Sequence, residues 1–91
     1  MISQSLEIKL VNKRGLHARA SARFVELASG FRSEIKVCKE SHEACGTSIL
    51  GLMMLAAACG DSVILRAEGE DAKEAIAELS QLIRNRFLED E

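Results

Sequence analysis

Polar and apolar residues alternate over residues 5 to 11 (SLEIKLV), with Leu6, Ile8 and Leu10 on one side and Glu7 and Lys9 on the other. A period of two predicts a first strand with one wet face. From 17 to 29 the period changes: Ala18, Ala22, Val25 and Ala28 recur at helical spacing, Phe24 and Leu27 widen the stripe, and Gly30 stands just past the end as an expected C-cap. Alternation returns over 33 to 38 (SEIKVC). The polar run KESHEACG then leads into a short third strand ending near Gly46, so these two strands are expected to pair as a hairpin. A fourth strand is read over 61 to 69. From Asp71 onward Ala72, Ala75, Ile76, Leu79, Leu82 and Ile83 repeat at helical spacing through a last helix, and Asp71 with Glu74 resembles a capping box.

The stretch between the hairpin and the fourth strand has no such polarity. Residues 44 to 60 carry no charge, and TSILGLMMLAAAC is apolar around its whole circumference, with Leu52, Leu55 and Ala56 on one side and Leu50, Met53 and Met54 on the other. It is too short and too interrupted for a membrane span, which needs about 20 residues. A helix in a two-layer domain buries one face only, so the second face is either covered by a neighbouring loop or docks a partner, with Met53 and Met54 as adaptable apolar contacts. The whole order is strand, helix, strand, strand, helix, strand, helix. That order implies an α/β (α+β) fold: one four-stranded antiparallel sheet, three helices on one face and solvent on the other.

Ninety-one residues with 47% hydrophobic content and no proline fit one domain, 1–91, without a linker. Its apolar residues are needed to bury sheet against helices, which favours a carrier or binding module over a deep-pocket enzyme. A net charge of −2, three Phe and no Tyr or Trp argue against nucleic-acid binding. Cys38, Cys45 and Cys59 are an odd number without C-x-x-C spacing, and the first residues lack a charged segment followed by an apolar run, pointing to a cytoplasmic chain with free thiols. Cys38, His42 and Cys45 make only an incomplete ligand set, so no metal and no cofactor is expected.

Charge is unevenly spread. No acidic residue falls between Glu7 and Glu26, while Lys9, Lys13, Arg14, Arg19 and Arg23 all do, so the segment holding His17 is locally basic and suits an anion or an acidic surface. His17 stands where the first helix starts, and a helix start offers unpaired N–H groups and a positive dipole end. Gly15 lets the incoming chain turn, Ala18 adds no bulk, and Arg19 can donate charge-assisted hydrogen bonds to phosphoryl oxygens. Neutral imidazole is a nucleophile near pH 7 and a good leaving group when protonated, so a phosphoryl group held on His17 can be handed on. A lone histidine at a helix end can also simply cap or pack. The basic surroundings, Gly15 and Arg19 shift the reading toward chemistry.

GLHAR at 15 to 19, in a chain of this length, resembles the active-site motif of the HPr phosphocarriers of the bacterial phosphoenolpyruvate phosphotransferase system. The resemblance spans essentially the whole chain, since the element order is that of the family's open-faced β-sandwich and TSILGLMMLAAACG is similar to its second helix. It implies that His17 receives phosphate on Nδ1 from phosphorylated enzyme I and passes it to an EIIA-type protein, with Arg19 stabilising it. Such a carrier turns over no substrate alone and works as a monomer. Many relatives have proline after the arginine where this chain has Ala20, a change compatible with the fold and with the nitrogen-related branch of the system. Ser48 matches a serine that an HPr serine kinase phosphorylates in many members, although Thr47 stands where relatives often have lysine. A serine opening an apolar helix is equally an ordinary N-cap. Ala20, Ile49, Leu50 and Met53 are the expected partner surface. The alternative function is a regulatory adaptor that binds a kinase, transporter or enzyme through the apolar face of the second helix; a third, a metal-handling domain, would use Cys38, His42 and Cys45.

Overall fold

The computed structural model of the chain describes residues 2–89, which leaves the first residue and the last two of the expected 1–91 unit outside it. Strands β1 (Ser3–Lys9), β2 (Glu34–Lys39), β3 (His42–Cys45) and β4 (Ser62–Glu68) form one antiparallel sheet in the order β1-β4-β2-β3. Helices α1 (Ala18–Ala28), α2 (Ile49–Met54) and α3 (Ala72–Arg84) interleave with them in the expected order, and a 3-10 turn (Arg86–Leu88) follows. The register explains the burial. Ile8 faces Val63 and Leu6 faces Leu65 across β1 and β4, while Val37 lies opposite Leu65 and Ala44 on its two neighbours. Val37, Val63, Leu65 and Ala67 are fully buried beneath the helices, and the residues between them, Lys36, Ile64 and Arg66, stand on the open face.

α1 contributes Ala20, Phe24 and Ala28 to this core, and α3 contributes Ala72, Ala75, Leu79 and Ile83. Each large side chain removed from water in this way stabilises the fold by about 1.5–3 kcal/mol. The core also takes Phe87, fully buried, from the 3-10 turn that the periodicity did not reveal.

Four local expectations need correction. The first strand starts at Ser3 rather than residue 5, because its pairing with Glu68 and Ala67 needs backbone groups only; Leu10, past its end, still accepts from the Gly60 N–H and donates to Asp61 O. The second helix is six residues, far shorter than the apolar run. Ala56 takes a left-handed φ of 53°, and the Lys39 ammonium donates to the Leu55 and Ala56 carbonyls, closing the helix end. Gly30 is no left-handed cap: α1 ends at Ser29 in a right-handed conformation, with the Ser29 N–H bonded to Val25 O. Asp71 sits at the N-cap position of α3 but makes no side-chain cap. Its carboxylate instead accepts from the Arg32 N–H and from the N–H and hydroxyl of Ser33, tying the β2 approach to the start of α3.

Candidate functional site

The loop from β1 to α1 is built around a turn over Asn12–Gly15, closed by the Gly15 N–H on Asn12 O at 3.2 Å. Gly15 is left-handed with φ 61°, and a Cβ there would lie 2.2 Å from Ala57 O and 2.7 Å from Ala58 Cα. Only glycine allows this approach. Next, the Leu16 N–H donates to Ala57 O at 2.9 Å, so the start of α1 is pinned against the segment that follows α2.

His17 occupies the N-cap position of α1 with extended backbone (φ −78°, ψ −179°) and makes no side-chain cap, leaving its ring for other partners. The first N–H groups of α1 lie beside it, and the first turn carries no acidic residue. Its Nε2 lies 2.6 Å from Glu89 Oε2. The other carboxylate oxygen, Glu89 Oε1, accepts from Asn12 Nδ2 at 2.9 Å, and the same amide donates to Gly15 O at 2.8 Å. Asn12 is fully buried, and aiming both N–H bonds at these acceptors leaves its Oδ1 without a hydrogen bond among the described residues. An unpaired buried polar atom costs about 1–3 kcal/mol. Burial pulls the Glu89 carboxyl upward, but hydrogen bonds from Asn12 and His17, with the charge of Arg14 and that of the His17 ring whenever it is protonated, outweigh it and hold the group below its usual range.

The chain reaches this position by a contorted route. Arg86, Phe87 and Leu88 all have left-handed φ, 56°, 55° and 63°. Three such non-glycine residues cost roughly 1–2 kcal/mol each. Buried Phe87 and the Arg23 guanidinium donating to Phe87 O hold the turn.

Of the residues singled out in the sequence, Gly15, His17, Ala18 and Arg19 come together at this helix start. Ala18 and Arg19 are exposed, and Arg19 has no hydrogen bond or ion pair among the described residues, so its guanidinium can reach a ligand. Ala20 is fully buried against the core and cannot belong to a partner surface. Ile49, Leu50, Met53 and Met54 are exposed at 42, 68, 40 and 75%, forming an apolar face on α2. Ser48 caps α2, its Oγ accepting from the Gly51 N–H at 3.0 Å. The Leu16 N–H bond to Ala57 O sets the start of α1 beside the segment that follows α2, whereas Ser48 caps the other end of that helix.

Cys38, His42 and Cys45 do not converge. Cys38 contacts Glu43 and Arg66, Cys45 contacts Thr47, and no group among the described residues is arranged to hold a metal ion. Among the described residues no helix is long and apolar enough to cross a membrane. Asn12 and Glu89 escaped the sequence reading. Asn before a Lys-Arg-Gly turn is a turn signal, whereas nothing local announces a contact between residues 72 positions apart.

The site thus presents an imidazole with Nε2 occupied by a carboxylate and Nδ1 without a hydrogen bond among the described residues, at the positive end of a helix and near a free guanidinium. This arrangement suits nucleophilic attack by Nδ1 on an electrophile bearing negative charge.

A family model described as the PTS HPr component phosphorylation site matches residues 4–85. The phosphocarrier protein HPr of Neisseria meningitidis serogroup A is 50% identical over 91 residues, 100% of each chain. That of Pseudomonas aeruginosa is 46% identical over 89 residues, 96% of this chain and 98% of the relative. Among solved structures, an HPr of Thermoanaerobacter tengcongensis superposes with a TM-score of 0.92 at 43% identity, covering 97% of this chain and 99% of that one. An HPr of Bacillus anthracis gives 0.87 at 31% identity, covering 91% and 99%.

Proposed function

This chain belongs to the PTS-HPr family, and on that premise we propose that it carries a phosphoryl group on Nδ1 of His17, taken from phosphorylated enzyme I and delivered to an EIIA-type protein. The observation that supports this reading best is the division of labour on the His17 ring: Nε2 is engaged by Glu89 at 2.6 Å while Nδ1 is left to react.

The proposed steps follow from the parts in place. His17 attacks as the neutral imidazole, and the first N–H groups of α1 accept the negative charge brought by the phosphoryl oxygens. Arg19, two residues on in the first turn of α1, neutralises charge while the phosphoryl group is loosely held between two donors. Gly15 sets the path of the loop, and Ala18 leaves room beside the ring. The docking proteins supply the remaining contacts, seated on Ile49, Leu50 and Met53 of α2. The chain acts as a carrier in the cytoplasm, as a monomer, and turns over no substrate alone.

Ser48 is the proposed regulatory site, a target for an HPr serine kinase. Its phosphate would be tolerated at the start of α2, and would add about −1.5 to −2 charges beside an apolar docking face. The test of the carrier reading is incubation with enzyme I and phosphoenolpyruvate followed by intact-mass measurement. One acid-labile phosphate that His17→Ala abolishes is expected; labelling that persists in the variant refutes it. The exposed α2 face also supports a second reading, an adaptor whose binding ignores His17. Partner capture lost in Met53→Glu, with wild-type protein unlabelled by enzyme I, would favour that one.

A further inference from the structure

We propose that Glu89, held by Asn12, is a positioning residue that keeps the His17 proton on Nε2 and so reserves Nδ1 for the phosphoryl group. This rests on the carrier reading of His17. The carboxylate is bound at both oxygens: Oε2 lies 2.6 Å from His17 Nε2 and Oε1 accepts from Asn12 Nδ2 at 2.9 Å. Its side chain is only 9% exposed, so water competes weakly for either bond. A carboxylate in this place accepts only, which obliges Nε2 to carry a hydrogen and leaves the lone pair of a neutral ring on Nδ1.

The same contact serves the transfer step. As Nδ1 bonds to phosphorus, the bond from phosphorus to its donor atom breaks and that pair returns to the donor. The Nε2 proton stays where it is, so the ring gains positive charge, and that charge faces Glu89. On delivery the Nδ1–P pair returns to the ring and the charge disappears, again with no proton moved. Glu89 therefore stabilises the loaded ring without taking part in bond making.

Two features indicate that the contact is built rather than incidental. Asn12 is fully buried and gives both its N–H bonds to this loop and to Glu89, leaving its own oxygen without a hydrogen bond among the described residues. The chain also passes through three consecutive left-handed residues, anchored by buried Phe87, immediately before Glu89.

The test compares wild type with Glu89→Ala and Glu89→Gln by ring-selective 15N–1H NMR and by the rate of phosphoryl acceptance from enzyme I. Wild type should show a single Nε2–H tautomer with a low-field Nε2–H proton protected from solvent exchange. Glu89→Ala should lose that proton signal and accept phosphate about tenfold more slowly, the effect of removing one charge-assisted hydrogen bond. Glu89→Gln keeps an acceptor without the charge; it should retain the proton signal and recover only part of the rate. An Nε2–H signal that survives in Glu89→Ala, or rates within twofold of wild type in both variants, overturns the proposal. Failure of the carrier reading looks different: wild-type protein then takes no phosphate at all, while the ring signals still report whether Glu89 holds Nε2.

Discussion

Replacing Gly15 by alanine adds one methyl group at the most constrained point of the loop that carries His17. Two costs are separable. A left-handed φ of 61° costs an alanine about 1 kcal/mol. The new Cβ would also sit 2.2 Å from Ala57 O and 2.7 Å from Ala58 Cα. Both are backbone atoms, so no rotamer change relieves the overlap. The loop and the 57–58 segment must move apart, which breaks the 2.9 Å bond from the Leu16 N–H to Ala57 O and strands a buried donor. That loss is worth about 1–3 kcal/mol. The total is about 3 kcal/mol, enough to lower Tm by more than 10 °C in a domain of this size. Gly60→Ala is the internal control, because Gly60 has φ 92° but nothing within 4 Å of a built Cβ. It should cost only the conformational part, about 1 kcal/mol. Urea unfolding of both variants measures the difference. Because His17 N–H bonds to Gly15 O, Gly15→Ala should also slow phosphoryl acceptance, whereas Gly60→Ala should not. Equal destabilisation by the two substitutions would refute the close-approach reasoning.

Arg19→Ala should leave the unfolding midpoint unchanged, since Arg19 has no partner among the described residues, yet slow phosphoryl transfer in stopped-flow exchange with enzyme I; Arg19→Lys should rescue only partly, lacking the planar fork. Ser48→Ala removes the 3.0 Å cap on Gly51 and should cost about 1 kcal/mol in urea unfolding, while Ser48→Asp stays within about 1 kcal/mol of wild type and slows His17 labelling. Stoichiometric phosphate on Ser48 is the stronger version, and unchanged labelling there reduces the serine to a helix cap. The Asp71 carboxyl is held below its ordinary 3.8 first by the Ser33 hydroxyl and then by the Arg32 N–H. A depressed folded-state value stabilises above the unfolded value and is lost as pH falls through the folded one. The stability gap between wild type and Asp71→Asn should therefore be full above about pH 4 and shrink below it, as unfolding at pH 7, 4 and 2.5 will show; a gap constant with pH contradicts the assignment.

The strands and two of the helices were legible because burial on one face writes itself into the sequence as a period, two in β4 and 3.6 in α3. In α1 the helix was legible but its buried face was not, since Ala18 is exposed, Ala22 and Val25 are half-buried, and the core side is Ala20, Ser21, Phe24 and Ala28. α2 was not legible in the same way. An unbroken apolar run cannot say where a helix stops, and here the stop comes from elsewhere, from Lys39 on the carbonyls of Leu55 and Ala56 and from Ala57 docked on Leu16. Asp71 misled for a related reason. Its type suits a helix cap, but the Arg32 and Ser33 donors, brought alongside because β2 starts opposite the end of β4, compete for the same oxygens and win. His17, Gly15 and Arg19 were readable because they lie within five residues of one another. Glu89 was not, because it reaches His17 only through a left-handed turn at the far end of the chain. Ala20 was misplaced because a surface was assigned from neighbours in sequence, whereas on a helix the residue one position past exposed Arg19 already points into the core.

The most direct measurement is the identity of the atom that holds the phosphate. Protein with 15N-labelled histidine rings, loaded by enzyme I and phosphoenolpyruvate, should show a phosphorus–nitrogen coupling to Nδ1 of His17, with Nε2 still protonated against Glu89. Phosphate on Nε2 of His17, or on any other residue, contradicts the division of the ring on which the carrier reading stands.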